Sequence, residues 1–217
     1  MIRKIAIVLS GCGHQDGSEI QEAVSLIINL SILGAQVEFF APDRMSDVTN
    51  AITGKKQEGQ RNLMVESARI CRGKIRPLTE LSSANFDALA MPGGFGAALH
   101  LSNWAQAGAK CQVDKSLAEA IVGFHKESKP IAAICIAPTL VARVLGHLGV
   151  TLTVGDDEST ITEIKKTGAR HEICPVDDFV TDREHKIITT PAYMYDAQPA
   201  QIFKGISGLA QELFEMA

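Results

Sequence analysis

The stretch KPIAAICIAPTL, Lys129 to Leu140, decides how the chain is read. Pro130 to Ile134 is a short apolar run, the pattern of a strand buried on both faces. Pro138 sits where a helix begins, and that helix runs to about Leu148. Cys135 therefore falls in the turn between strand and helix. In open parallel sheets, ligands gather at the carboxyl ends of the strands, where such turns lie. A nucleophile held there stands at the top of the sheet on a sharp, often strained turn. The adjoining helix N-terminus favours thiolate, so a lowered pKa is expected for Cys135. The competing reading is a small buried filler, the commonest fate of a free cysteine.

The same strand-then-helix rhythm recurs outward from this turn. Lys4 to Leu9 (KIAIVL) is an apolar, β-branched strand followed by the polar glycine loop SGCGHQDGS. Ser18 is expected to cap a helix ending near Leu33, with Gly34 beyond it. Gln36 to Phe40 is a second strand. Residues 43 to 80 are polar and read as an irregular excursion, with a helix at Asn62 to Arg69. FDALAMPGGFG is strand then glycine loop. Asp114 to Glu127 is an amphipathic helix, and TLTVG a further strand. Ser159 to Lys166 is a short helix, and HEICPVDDFVTDREHKIITTP two strands joined by a charged turn. Ala200 to Phe214 closes the chain as a helix. Alternating strands and helices imply an α/β fold, its mostly parallel sheet covered on both faces. With no repeat, low-complexity tract or linker, residues 1–217 are expected to form one domain.

Bulk properties narrow the function. A formal net charge of −4 opposes a general nucleic-acid surface, which needs clustered lysine and arginine. No apolar run approaches the roughly 20 residues that span a bilayer. The five cysteines are scattered without Cys-x-x-Cys spacing, which points to a reducing cytoplasm rather than a disulfide framework or zinc site. Neither metal nor organic cofactor is expected, because no tight His/Cys/Asp group and no phosphate-binding glycine pattern appears.

Three loops carry the candidate chemistry. Beside Cys135, the Gly93-Gly94-Phe95-Gly96 loop lets backbone N–H groups approach a ligand, and with the Ile136 N–H would form an oxyanion hole. Glu19 and Glu22 share a face at the start of the first helix. A carboxyl beside a thiol acts as proton shuttle if burial raises its pKa, whereas helix capping accounts for one of the pair. His14 and His100 are loop histidines that either assist or are simply solvated. Cys12 and Cys174 are expected near the site, Cys71 and Cys111 in structural positions.

The chain resembles the ElbB-like group of the PfpI/ThiJ superfamily, related to class I glutamine amidotransferase domains. The matching segments are SGCGHQDGSEIQEA (Ser10–Ala23), FAPD (Phe40–Asp43), ARICRGKIRPL (Ala68–Leu78), MPGGFGAA (Met91–Ala98), CIAP (Cys135–Pro138) and KIITTPAYM (Lys186–Met194). LSN at Leu101 to Asn103 and CPVDD at Cys174 to Asp178 belong to the same set, which covers nearly the whole chain. The resemblance implies a flavodoxin-like three-layer sandwich with a nucleophile elbow, and a homodimer. It maps the elbow cysteine onto Cys135 and its carboxylate partner onto Glu22, with Glu19 the neighbouring candidate. The oxyanion-hole amides fall on Gly94 and Ile136. Members that act on peptides place histidine directly after the cysteine, and amidotransferases place a histidine pair near the last strands. Here Ile136 follows Cys135 and TTPAYM has no histidine, which argues against both activities.

What the resemblance implies is a glutathione-independent glyoxalase or deglycase-like enzyme of low activity, acting on small aldehydes or dicarbonyls and associated with isoprenoid biosynthesis. The alternative is a non-catalytic redox-sensing or partner-binding protein built on an oxidisable Cys135.

Overall fold

The computed structural model describes residues 2–217. In chain order its strands are β1 (Lys4–Val8), β2 (Gln36–Ala41), β3 (Met45–Thr49), β4 (Lys56–Asn62), β5 (Arg76–Pro77) and β6 (Ala88–Met91). Then come β7 (Ile131–Ile134), β8 (Thr151–Leu152), β9 (Arg170–His171), β10 (Val180–Asp182) and β11 (Ile187–Thr190). The helices are α1 (Ile20–Ile32), α2 (Leu63–Ser67), α3 (Phe95–Leu99), α4 (Trp104–Ala107), α5 (Lys115–Lys126), α6 (Pro138–Leu145), α7 (Glu158–Lys166) and α8 (Pro199–Met216).

Seven strands form the central sheet in the order β10-β11-β7-β6-β1-β2-β5. Every neighbouring pair is parallel except the β10–β11 hairpin. The inner strands β6 and β7 are apolar and buried throughout because each face is covered, and the pleat sends alternate side chains to opposite layers. Ile5, Ile7 and Leu9 pack toward α1 and α8, while Ala6 and Val8 pack toward α5 and α6. This is the flavodoxin-like three-layer α/β sandwich.

Three details depart from the sequence reading. Residues 45–62, expected to be irregular, form the antiparallel β3–β4 hairpin. Nearly every β4 side chain is exposed, so no apolar alternation marks it as a strand. The following helix covers only Leu63–Ser67, because Asn62 is its cap, its side chain accepting from the Val65 N–H at 3.0 Å. The TLTVG strand joins β9 in a separate two-stranded sheet rather than the main one.

Parallel pairing fixes where chemistry is possible. β1, β6, β7 and β11 are contiguous, so their carboxyl ends and the four loops that follow meet at one place.

Candidate active site

Cys135 is the first residue beyond β7. Its N–H donates to the Thr190 carbonyl at 2.9 Å, and the Ala137 N–H donates back to Ile134 at 3.0 Å, so the chain turns sharply at the thiol. The turn holds Cys135 at φ +62°, a region that side-chain-bearing residues rarely occupy. Pro138 then opens α6, where its missing N–H costs nothing. Cys135 is 7% exposed.

Glu22 lies in the first turn of α1, on the buried stripe with Ala23, Leu26 and Leu30, and is fully buried. Its Oε2 accepts the Gly93 N–H at 2.9 Å and its Oε1 the Tyr193 N–H at 3.3 Å. A buried carboxyl needs such partners, since leaving it unpaired costs several kcal/mol. The helix begins at Glu19, not Ser18. The Glu19 carboxylate accepts the Glu22 N–H at 2.7 Å, whereas Ser18 Oγ is occupied by the Ser10 N–H at 2.9 Å. A carboxylate at that end also complements the helix dipole, so Glu19 takes the cap that serine was expected to supply.

Gly93 lies between thiol and carboxyl. A methyl group on its Cα would fall 2.5 Å from Cys135 Cβ and 2.8 Å from Glu22 Oε2. The two side chains therefore flank one point of the glycine loop, and Glu22 is a side-chain hydrogen-bonding neighbour of the thiol. Gly94, at φ +89°, and Ile136 turn their backbone N–H groups toward the sulfur. The glycine loop is tied to the first loop by Glu19 N–H donating to Gly93 O at 3.0 Å and Phe95 N–H to His14 O at 2.7 Å.

Burial dominates the electrostatics. It pushes the Glu22 carboxyl up to about 8, and the nearby Glu19 charge adds to this against the Gly93 and Tyr193 N–H groups and the thiol. Burial also raises Glu19, opposed by backbone N–H groups at the helix start. Cys135 is pushed well above 9.0, first by burial and then by the charge of Glu22. The Gly94 and Ile136 N–H groups favour thiolate but are outweighed. The expectation of a lowered Cys135 pKa is thereby corrected: the turn aims N–H groups at the sulfur, but in a site too dry for them to prevail. At neutral pH the resting pair is thiol and neutral carboxyl.

The thiol opens into a mostly apolar pocket of about 280 Å³, with Glu19, Gly94 and Ile136 in its wall. Phe95, Tyr193, Met194, Asp157 and Thr160 complete it. Phe95 belongs to the glycine loop and Tyr193 and Met194 to TTPAYM, whereas Asp157 and Thr160 were not singled out from the sequence. The signal for Tyr193 was present in TTPAYM: Ala192 sits at φ +42°, and that turn presents the Tyr193 N–H to Glu22. Asp157 could be read as the cap of α7, where it accepts the Thr160 N–H at 2.7 Å.

His14 reaches the pocket rim and is exposed. His100 lies elsewhere, its ring against Ser46 and the Asp16 carbonyl. Cys12 lines a separate small cavity with Asp16, Arg61 and Glu66, and Cys174 is buried; neither lines the Cys135 pocket. Cys71 and Cys111 are buried. Among the described residues no group of three His, Cys, Asp or Glu is placed to hold a metal.

Several known proteins are similar to this chain. The chain is 42% identical over 224 residues to the human "Glutamine amidotransferase-like class 1 domain-containing protein 3, mitochondrial", covering 98% of this chain and 83% of that protein. It belongs to the glutamine amidotransferase-like class 1 family. Within that PfpI/ThiJ-type family it falls in the ElbB-like group. A solved Ehrlichia chaffeensis structure described as an isoprenoid biosynthesis protein with an amidotransferase-like domain is 31% identical. The match covers 99% of both chains with a TM-score of 0.92. The zebrafish (Danio rerio) "ES1 protein, mitochondrial" is 32% identical over 98% of this chain and 85% of its own length. Drosophila melanogaster DJ-1beta, at 19% identity and a TM-score of 0.61 over 98% of this chain and 91% of its own, shares the fold. No protein-family profile matches. The human and zebrafish relatives carry "mitochondrial" in their names, where a cytoplasmic location was expected for this chain. Among the described residues no helix is long and apolar enough to cross a membrane. Despite the family name, His14 is the only histidine among the described residues lining the Cys135 pocket, and it is exposed.

Proposed function

We propose that the chain is a cofactor-independent glyoxalase or deglycase-like enzyme that converts small dicarbonyls such as glyoxal to 2-hydroxy acids. The observation that carries this reading is the fully buried Glu22 carboxyl flanking Cys135 across Gly93, with the Gly94 and Ile136 N–H groups aimed at the sulfur. The Cys135 S–H adds across one carbonyl: a C–S bond forms, and the proton moves from sulfur to oxygen. The Gly94 and Ile136 N–H groups hold the developing oxyanion. Glu22, ionised in a minor fraction of molecules near neutral pH, takes the proton from the hemithioacetal carbon and returns it to the neighbouring carbon, while the hydroxyl proton passes to the second oxygen. One carbon is oxidised to thioester and the other reduced to CH₂OH, so no external oxidant is needed. Water cleaves the thioester, returning the thiol and releasing glycolate and a proton. A carboxyl poised at about 8 is a stronger base than an ordinary one and is still exchangeable near neutrality.

The redox-sensor reading has weaker support. An oxidation sensor needs an exposed, low-pKa thiol, and Cys135 is buried with its pKa raised. A link to isoprenoid biosynthesis enters through the Ehrlichia chaffeensis relative. Five free cysteines support a reducing compartment, cytoplasm or mitochondrial matrix. A homodimer is part of the proposal: Ile20, Val24, Ile28 and Ile32 form an exposed stripe along α1, and a two-fold axis would pair that stripe with itself.

The test is steady-state glyoxal conversion to glycolate by purified protein. Cys135→Ala should abolish it. Glu22→Gln should lower it by roughly 10²–10⁴-fold. Conversion undiminished in Cys135→Ala would overturn the reading.

A further inference from the structure

The mouth of the Cys135 pocket is acidic. Glu19 and Asp157 both line the pocket, and Asp157 is flanked by exposed Asp156 and Glu158. None of the described residues lining the pocket is lysine or arginine, and His14 is the only ring there able to carry positive charge. The α7 N-terminus, which would otherwise offer N–H groups to an anion, is already taken up by the Asp157 cap at 2.7 Å and carries Glu158 in its first turn. The remaining wall, Phe95, Ile136, Tyr193 and Met194, is largely apolar and keeps the local dielectric low, so like-charge repulsion is felt strongly. The two N–H groups that welcome negative charge sit at the sulfur itself, where an alkoxide forms during reaction, not at the mouth.

From this we propose that the site selects uncharged carbonyl compounds, excludes carboxylates and phosphates, and expels its own anionic product, with Asp157 the specificity-determining residue. The product part rests on the glyoxal-to-glycolate reading. A neutral aldehyde enters without opposition; the carboxylate left by thioester hydrolysis finds no lysine or arginine among the described lining residues to hold it, and Glu19 and Asp157 there to repel it. By the same argument, a diphosphate or a 2-oxo acid is a poor ligand here.

A matched pair of thiol reagents tests the charge rule without any turnover. Iodoacetamide and iodoacetate differ little in size, and both need the same thiolate, so their rate ratio at Cys135 reports the charge felt at the mouth. The ratio is measured at Cys135 by peptide mass spectrometry in the native protein, and again in urea as the reference. The native preference for iodoacetamide should exceed the reference by about tenfold or more. It should narrow at high salt as the exposed charges are screened. Asp157→Asn should reduce it by at least about threefold while keeping the fold, because asparagine caps helices as well as aspartate does. Saturating glycolate should leave iodoacetamide labelling unslowed. A native ratio equal to that in urea, or one that Asp157→Asn leaves unchanged, overturns the proposal. Discrimination without glyoxal turnover would uphold the charge rule and sink the glyoxal reading; turnover without discrimination would do the reverse.

Discussion

Glu22→Gln gives the sharpest test of the neutral-pair site, because its effect on stability has a sign and a size. The Glu22 carboxyl ordinarily titrates at 4.5 and is pushed up to about 8 in the fold, where its side chain is fully buried. With the folded value above the unfolded one, the unfolded chain releases this proton first as pH rises. The stabilisation is complete below 4.5 and is lost progressively until pH passes about 8. Over the whole window, with the shift from 4.5 to about 8, the loss is about 5 kcal/mol; between pH 5.5 and 7.5 it is about 2.5 kcal/mol. The amide introduced by Glu22→Gln would not titrate. It would also face two N–H donors, from Gly93 and Tyr193, with only one acceptor oxygen, an offset of about 1–3 kcal/mol that does not vary with pH. Urea unfolding of both proteins at pH 5.5 and 7.5 gives the difference, in which other titrating groups cancel. The wild-type chain should lose about 2.5 kcal/mol relative to the variant across that window. A difference unchanged with pH would refute the reasoning: either Glu22 is ionised in the fold, or Cys135 is a thiolate, so that the folded pair holds no more protons than the unfolded chain.

Cys135 should react with iodoacetamide more slowly at pH 7 than a free thiol, and its rate should still be climbing above pH 8.5, because burial and Glu22 raise its pKa; a plateau below pH 7 would show a thiolate instead. Gly93→Ala would place a methyl 2.5 Å from Cys135 Cβ and 2.8 Å from Glu22 Oε2, so it should cost about 1–3 kcal/mol in thermal unfolding and remove glyoxal conversion. Glu19→Gln should cost only about 0.5–2 kcal/mol as a weakened cap, with far less loss of turnover than Glu22→Gln. Ile28→Asp, in the exposed α1 stripe, should shift the protein to monomer in analytical ultracentrifugation with its circular dichroism unchanged.

The fold was legible where burial imposes a pattern. The apolar runs at 4–8, 88–91 and 131–134 are strands covered on both faces, and the small turns after them could only lie at one sheet edge. The β3–β4 hairpin was not legible, because its residues face water and carry no period. The site divides in the same way. Cys135 and Gly94 are marked by the turn each must make, and Glu22 by a carboxylate falling in step with Leu26 and Leu30 on a buried helix face. Tyr193 is legible only as part of the TTPAYM turn after β11, whereas Asp157 reaches the pocket from the start of α7 by tertiary packing, which no local pattern encodes. The pKa of Cys135 was misjudged for a related reason. A turn at a helix start reveals N–H groups aimed at a thiol, but not how thoroughly the folded chain removes water from around it.

The absent histidine can now be placed within the physics of the site. A thiolate–imidazolium pair holds two opposite charges and is a ready nucleophile at rest. Here the partner is a carboxyl, and burial beside Cys135 makes charge on either group costly. On the proposed reading the resting pair is neutral, and nucleophilicity is created during attack, as the proton leaves sulfur and the oxyanion forms against Gly94 and Ile136. Such a site is poorly matched to an amide, whose carbonyl is a weak electrophile with a poor leaving group. It is matched to an aldehyde, which accepts a thiol without one. The same neutrality makes an acidic mouth tolerable, because nothing charged has to enter. On the proposed reading, the proton affinity of Glu22, the lack of histidine at the thiol and the acidic pocket lining favour the same reactant, a small uncharged dicarbonyl.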